Sequence, residues 1–558
     1  MKLNKKELFK FFFSFQKKYL PIAIVTAVLL LVNVLLQLPM PLVTKYLIDK
    51  IVPARDFHAL NVLCLILLGI ILFRQASAYL MQYTISKYKA NVRFDLEQAL
   101  YLHIQDLPVS YFTQKDTGYI LSRISEISSI ESILADTFLY ILRDTITIIV
   151  GVILILGLHF KLGMISIALL PFFIFTLKSF HQKIKVINRE LREESAQYYG
   201  KLEKNLNAME KIKSWVKEEI EGKRIAQRLS RVIGLGMRAE LTGAMAGIAS
   251  SFVGMIAPFI ILWYGMSEII NGTLTLGSFF AINAFTGYLY NPARQLTETG
   301  FSISRALAGL ERIHEIFNEK KEMEGIEPIE GIDSIEFQNV TFGYEGNDPV
   351  LENLNLTIKR GDKIALVGQS GEGKSTVVKM ILKFYLPAEG KILISGKDSK
   401  DIQIKSLRRR IAYIPQNPFI LEDDVEDMFK QQHARELLQK FRLEKSSIEA
   451  LHHIHQKQFS GGEIQKVELL EALLKEADVL IIDEGTSNID FNAEKIVLND
   501  LFDKYKEKII IFIAHRLTSV VDFKRIVVIE KGKITEDGPH DRLMSNKGRY
   551  YSFWGEKG

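Results

Sequence analysis

Between Val367 and Val377 the chain reads Gly368-Gln369-Ser370-Gly371-Glu372-Gly373-Lys374-Ser375-Thr376. The apolar run Ile364–Val367 precedes it and Val377–Leu382 follows, so the pattern predicts a strand, a glycine loop and a helix. Glycines at 368, 371 and 373 let backbone N–H groups curl around a phosphate with no Cβ in the way. The first turn of the following helix offers unpaired N–H groups and the positive end of its dipole to the same anion. Lys374 has the reach and the charge for β- and γ-phosphates, and the Ser375 hydroxyl suits Mg²⁺. Residues 368–376 are therefore a candidate loop for a nucleoside triphosphate.

Such a loop needs acids at the same edge of the same sheet. Val479–Ile482 is an apolar strand that ends in Asp483 and Glu484. In a parallel sheet the carboxyl ends of the strands face the ligand crevice. Asp483 is placed to hold Mg²⁺, and Glu484 to orient or deprotonate the attacking water. A second apolar strand, Ile509–Ala514, delivers His515 to that edge, where its company makes it a γ-phosphate contact. Ser460, Gly461 and Gly462 open another helix and offer a second anion site of the helix-start kind. Tyr344 lies ahead of the glycine loop at a distance suited to stacking on adenine. His452, His453 and His455 have no fourth ligand or cysteine nearby, so they read as a solvated loop and not a metal site.

The elements that must carry these groups are of two kinds. The chain has 558 residues, net charge +6, 24% charged residues and a mean hydropathy of +0.10. That length suggests two to four units. The mild positive charge gives little support to nucleic-acid binding. One cysteine, Cys64, excludes an internal disulfide framework and reads as inert packing. Leu20–Thr44, Ala59–Ser86, Leu134–Leu158, Leu162–Leu177 and Leu241–Ser267 are long, almost uncharged runs. A sixth, Ile269–Ala293, has a turn at Asn271-Gly272-Thr273 and runs on past Arg294. Each approaches the length that crosses a bilayer. The connecting segments 87–131 and 178–240 are rich in basic residues, and the short loops at 45–58, 159–161 and 268–275 are not. By the positive-inside rule the long segments, both termini and the second half are cytoplasmic. Residues 1–18, with alternating lysine and phenylalanine, predict an amphipathic helix on the inner membrane surface. Asn33, Gln37, Arg74, Gln75 and Gln82 are polar within apolar spans and are candidates for a substrate cavity. Residues 318–332 read as a linker and 333–558 as a nucleotide-binding domain, with Ile335–Val340 as a half-buried strand.

Taken together, these motifs resemble an ATP-binding cassette exporter of the half-transporter kind, over nearly the whole chain. Gly368–Thr376 is similar to the Walker A loop and Asp483-Glu484 to the end of Walker B. Gln416 stands where that family has its Q-loop glutamine, Phe459–Glu463 its signature, Asp490 its D-loop aspartate and His515 its switch histidine. The resemblance implies six transmembrane helices with long intracellular extensions at 19–317, then an α/β P-loop ATPase domain with a helical subdomain. It also implies ATP bound with Mg²⁺, Gln416 as a further metal contact, and each ATP held between the loop of one copy and the signature of another. Tyr111–Gly118 and Asn205–Trp215 resemble the two coupling segments.

The implied activity is ATP-driven export or flipping across the inner (plasma) membrane by a homodimer. A heterodimer with a homologous half-transporter and a nucleotide-regulated sensor or channel are the competing readings. Three carboxylates depart from the family pattern. Glu463 ends the signature in place of glutamine, and Glu468 and Glu471 stand where alanine and arginine are usual.

Overall fold

The computed structural model describes residues 5–115, 117–344, 348–417, 419, 461–483, 491–514 and 517–557. It divides into two compact units, residues 1–105 with 117–319 and residues 106–116 with 320–558.

In chain order the helices begin with α1 (Lys5–Gln16), α2 (Leu20–Gln37), α3 (Pro39–Tyr46), α4 (Phe57–Gln105) and α5 (Val109–Gln114). They continue with α6 (Thr117–Leu158), α7 (Phe160–Asn207), α8 (Met209–Ser214), α9 (Glu218–Ile270) and α10 (Leu276–Phe317). At 1.5 Å per residue, the 53 residues of α9 run about 80 Å, far beyond a bilayer's apolar core of about 30 Å. Each long helix therefore joins an apolar part to a polar extension, as the charge pattern predicts. Among the described residues, five helical stretches are long and apolar enough to cross a membrane: 10–54, 57–105, 139–158, 160–207 and 218–270. Only 6% of the most apolar window of α4 is buried within the chain, so its leucines and isoleucines face outward instead of forming a core. The 42-residue α10 is not among the five; Asn283, Asn291, Arg294 and Gln295 interrupt its apolar run.

Polar side chains stitch the helices together. Asn33 Nδ2 donates to Ser77 Oγ at 2.9 Å, and Thr26 Oγ1 to Thr84 Oγ1 at 3.0 Å. Tyr288 OH donates to the Gln37 carbonyl and Tyr290 OH to the Ser166 carbonyl, each at 3.0 Å. Asp49 accepts from Thr275 Oγ1 and Gly277 N, fixing the start of α10. Helix α1 buries Leu8 and Phe12, and the Phe11 ring meets His314 and Phe317 edge-on. Part of the apolar face expected to meet lipid thus packs within the chain, while Phe13 stays exposed. Cys64, expected to pack inside, is exposed among the described residues.

The second unit holds two sheets. Strands β1 (Ser334–Phe342), β2 (Leu351–Lys359), β4 (Glu389–Ile394) and β5 (Lys397–Asp398) form an antiparallel sheet of order β2-β1-β4-β5. Strands β3 (Lys363–Val367), β6 (Ile411–Ile414), β7 (Val479–Asp483), β8 (Ile509–Ile513), β9 (Arg525–Glu530) and β10 (Lys533–Gly538) form the other, of order β10-β9-β3-β8-β7-β6. All its pairings are parallel except β10 with β9. Every residue of β7 and β8 is buried, which is why both read as unbroken apolar runs. In β1, Ile335, Phe337 and Val340 are buried, as the alternation predicts, with a bulge after Phe337. Further helices are α11 (Lys374–Ile381), α12 (Ile404–Arg409), α13 (Gly461–Leu474) and α14 (Phe491–Lys504).

The stretch read as a linker is pinned to this unit along much of its length. The Glu322 carboxylate grips Arg408 through two hydrogen bonds of 2.9 Å, and Glu324 Oε1 accepts from Ile404 N. Glu327 N donates to the Asp401 carbonyl, while Gln403 N donates to the Glu327 carbonyl. Helix α5 lies in the same unit, where Pro108, Ser110 and Gln114 help line a cavity of about 490 Å³ with Tyr344, Phe384 and Tyr385.

Candidate functional site: a phosphate loop and an arginine-lined cavity

The glycine loop follows β3, the third strand from one edge of the six-stranded sheet, and leads into α11. Gly371 and Gly373 take φ +89° and +101°, which side chains resist. A Cβ on Gly373 would also lie 2.6 Å from Leu351 Cδ2. Lys374 is buried to 8% exposure and folds over the loop. Its Nζ donates to the Gly368 carbonyl at 2.9 Å and the Gln369 carbonyl at 2.7 Å. The ammonium is thus held above the ring of backbone amides.

Ser375 Oγ donates to Asp483 Oδ1 at 3.1 Å, bringing together two groups that are 108 residues apart in sequence. Asp483 is 3% exposed and closes β7 at the carboxyl edge. A hydroxyl beside a carboxylate is an all-oxygen donor pair of the kind a hard cation such as Mg²⁺ prefers. Tyr344 OH bonds Thr376 Oγ1 at 3.1 Å, and its ring stands edge-on to Phe342 and Tyr385. Gln416 is exposed just beyond the end of β6. Gly461 and Gly462 begin α13, which packs on β6, the strand at the far side of β8 and β7 from β3. Ser460, Glu484, Asp490 and His515 lie outside the described residues.

Two contributors went unassigned in the sequence. Tyr413 sits opposite Ile481 in the β6–β7 register, so its side chain shares a face with Asp483 two residues on. Burial first, and then the Asp483 carboxylate to which it hydrogen-bonds, push the Tyr413 phenol well above its usual range. It stays a proton donor to the carboxylate that Ser375 also contacts. Only the strand register reveals this. Glu468, noted above only as a departure, is 8% exposed and accepts from Phe419 N at 2.8 Å. Burial pushes its carboxyl up to about 7, with Glu471 adding to the rise and the Phe419 N–H opposing it.

In the membrane unit a cavity of about 670 Å³ lies among α2, α4, α6 and α10. Asn33, Gln37, Arg74 and Gln75 line it, as expected. Gln82 does not: it is exposed, and Met81 takes the cavity position instead. At 3.6 residues per turn, Gln82 lies within about 20° of Gln75 but about two turns further along α4. Arg143 and Arg294, unremarked in the sequence as cavity residues, join Arg74 there.

A phosphate loop with its acid partner, carried beside helices long and apolar enough for a bilayer, defines a membrane-embedded ATPase. Two family models match in tandem: the ABC transporter transmembrane region over residues 23–293, and ABC transporter over residues 351–487. The chain belongs to the ABC transporters, with membrane and ATPase parts fused in one polypeptide, and it couples ATP hydrolysis to transport. It is 29% identical to an ATP-dependent lipid A-core flippase of Syntrophus aciditrophicus, covering 98% of this chain and 94% of that one. It is 27% identical to the putative multidrug export ATP-binding/permease protein YgaD of Bacillus subtilis, with 97% and 98% covered. Lactococcin-A transport/processing ATP-binding protein LcnC of Lactococcus lactis matches at 28%, over 96% of this chain and 76% of that one. Among solved structures, a bacterial Atm1-family ABC exporter with ATP bound shares the fold, with a TM-score of 0.79 at 21% identity and 96% of this chain covered.

Proposed function

We propose that the chain is an exporter or flippase of the inner membrane that works as a homodimer, with its ATPase units in the cytoplasm. Each ATP lies between the glycine loop of one copy and the Ser460-Gly461-Gly462 turn of the other. Lys374 neutralises the β- and γ-phosphates, the loop amides from 368 to 376 fix their position, and Tyr344 stacks on the base. Ser375, Asp483 and Gln416 would hold Mg²⁺, which when bound would supply charge neutralisation at the phosphate oxygens. Glu484 takes the proton of the attacking water, His515 contacts the γ-phosphate, and Asp490 lies at the junction of the two copies. Binding closes the two ATPase units; hydrolysis parts them, and the membrane helices alternate between inward and outward access.

The observation that carries this reading is the Ser375–Asp483 contact beside Lys374 at the carboxyl edge of a parallel sheet. Two copies are favoured by the packing of α13, the helix after the Ser460-Gly461-Gly462 turn, on β6, three strands from β3 in its own chain. The test is to purify the chain alone into lipid nanodiscs, then measure its mass and its Mg²⁺-dependent ATP hydrolysis. A dimer that hydrolyses ATP is expected. A monomer that fails to retain labelled ATP with Mg²⁺ overturns the reading. Hydrolysis that appears only when a second, homologous chain is added replaces the homodimer by a heterodimer.

A further inference from the structure

The six-stranded sheet carries positive charge at both of its edges. At the carboxyl edge stands Lys374, folded over the glycine loop. At the amino edge, three neighbouring strands are each entered from a lysine. Lys363 is the first residue of β3, Lys524 stands one residue before β9 and Lys506 three residues before β8. All three line one cavity of about 390 Å³, within the range of roughly 300–1,000 Å³ usual for small-molecule sites. Ligands of open parallel sheets gather at the carboxyl edge, so the fold alone gives no reason for this second cluster.

The cluster is only partly compensated. Among the described residues, Asp522 is the one carboxylate lining the cavity, and Asp503 is the one acid whose charge acts on Lys363. The ammonium groups of Lys506 and Lys524 make no hydrogen bond or ion pair with any described residue, and both residues are exposed. Lys363 is tied down: its Nζ donates to the Phe502 carbonyl at 3.3 Å and lies 5.1 Å from the centre of the Phe502 ring. Burial holds the Lys363 ammonium below its usual range; Asp503 opposes that shift, and the charges of Lys524 and Lys506 add to it.

The rest of the lining suits an organic anion better than a bare ion. Phe502 is half-buried and meets Phe523 edge-on, with ring centres 5.3 Å apart, so one wall is aromatic. Thr518 and Ser519, on the short helix Leu517–Val520, add hydroxyl groups. An ammonium is a compact charge with three donors and binds phosphate as a point charge. We propose that this cavity binds a small aromatic phosphate monoester, its phosphate among Lys363, Lys506 and Lys524 and its ring against Phe502. The surplus of ammonium over carboxylate disfavours a cationic occupant. The site is separate from the glycine loop, because the whole of β3 lies between Lys363 and Gly368.

The test titrates the nucleotide-free full chain in phosphatidylcholine nanodiscs with para-fluorophenyl phosphate and reads the fluorine NMR line width, with empty nanodiscs as the blank. The neutral probe is para-fluorobenzyl alcohol, the cationic probe para-fluorobenzylamine, and inorganic phosphate is the competitor. The ester is expected to half-saturate at a concentration at least about tenfold below either other probe, the size of one charge-assisted contact. Inorganic phosphate should compete at least about tenfold less well than the unlabelled phenyl ester, since it buries no ring. Lys506→Gln combined with Lys524→Gln should erase the preference for the ester. Lys391→Gln, which removes the same charge from an exposed site on β4, should bind as the wild type does, and so should Lys374→Ala in the glycine loop. Where the double variant does not fold, Lys506→Gln and Lys524→Gln are read singly.

Equal half-saturation by the ester and the alcohol, or a preference that survives the lysine variants at 506 and 524, overturns the proposal. Binding that disappears in Lys374→Ala places the probe in the glycine loop and overturns it as well. Inorganic phosphate that competes as strongly as the phenyl ester makes the cavity a bare anion site and overturns the aromatic ligand. A line width no greater than that in empty nanodiscs overturns the site altogether. Each of these results leaves the homodimer reading standing, for that reading rests on the opposite edge of the sheet.

Discussion

The glycine loop at 368–376 and the cavity around Arg74 both concentrate positive charge, but from different materials. In the loop the donors are main-chain amides, set by glycines at φ +89° and +101° and crowned by one buried lysine. In the cavity they are arginine side chains on three helices, one of them held by Asp144 and another without a partner among the described residues. A backbone-built site has one shape and fits one kind of phosphate chain closely. A side-chain-built site shifts with its rotamers and accepts a range of occupants. The first suits a fixed fuel and the second a variable cargo.

Substitutions can break that contrast, and the largest effect belongs to the chemistry. Glu484→Gln should lower ATP hydrolysis by about 10²–10⁴ while ATP binding survives, the loss expected for a general base. Steady-state hydrolysis and labelled-ATP retention on the same sample check it; wild-type turnover would remove Glu484 from its role. Next comes the metal pair. Asp483→Asn should weaken Mg²⁺-dependent ATP retention at least about tenfold and leave retention in EDTA unaltered, since only the ion contact is lost. Titration of retained nucleotide against free Mg²⁺ reads the difference.

The backbone itself is tested by Gly373→Ala. A side chain at φ +101°, pressed against Leu351, carries strain on the order of 1–3 kcal/mol. The ATP concentration for half-maximal hydrolysis should rise about tenfold or more. An unchanged value would mean that the loop is as adaptable as the cavity, and the contrast would fail.

The smallest effect concerns pH. Glu468, pushed up to about 7 by burial, holds its proton in the folded state where the unfolded chain, near 4.5, has released it. The stability it lends is complete below about pH 4.5 and is lost as pH rises towards 7. Glu468→Gln should remove that slope and raise the melting temperature at pH 8 by about 2–4 °C, with no gain at pH 4. Thermal melting followed by intrinsic fluorescence at the two pH values checks it.

What could be read beforehand divides along the same line. The phosphate loop was legible because its geometry is local: nine consecutive residues carry it, and the strands beside it are apolar throughout. Asp483 was legible as the end of such a strand. Tyr413 was not, because its contact depends on the pairing of β6 with β7 across a long sequence gap. The spans stood out by their lack of charge, but the face each residue takes is a matter of helical phase. Arg74 and Gln75 line the cavity and Gln82 does not, although it lies about 20° from Gln75 in phase and two turns further along α4, so depth counts as well. Arg294 sits at the rim of its apolar run and Arg143 within its run beside the opposite charge of Asp144, so only the packing of four helices sets them apart. The lysine and phenylalanine stripe of α1 was visible, but not that His314 and Phe317 would meet its Phe11.

The ATPase unit is not a continuous piece of chain. Residues 106–116 belong to it, although more than two hundred residues of another unit separate them from the rest. During synthesis this short segment leaves the ribosome long before the strands it will join, and must wait for them. A fragment starting at residue 320 would lack it, leaving Tyr344, Phe384 and Tyr385 bare on the side that Ser110 and Gln114 otherwise help to enclose. The ATPase half of this protein, produced by itself, would be a vessel without its stopper, with a sticky aromatic mouth and a tendency to clump.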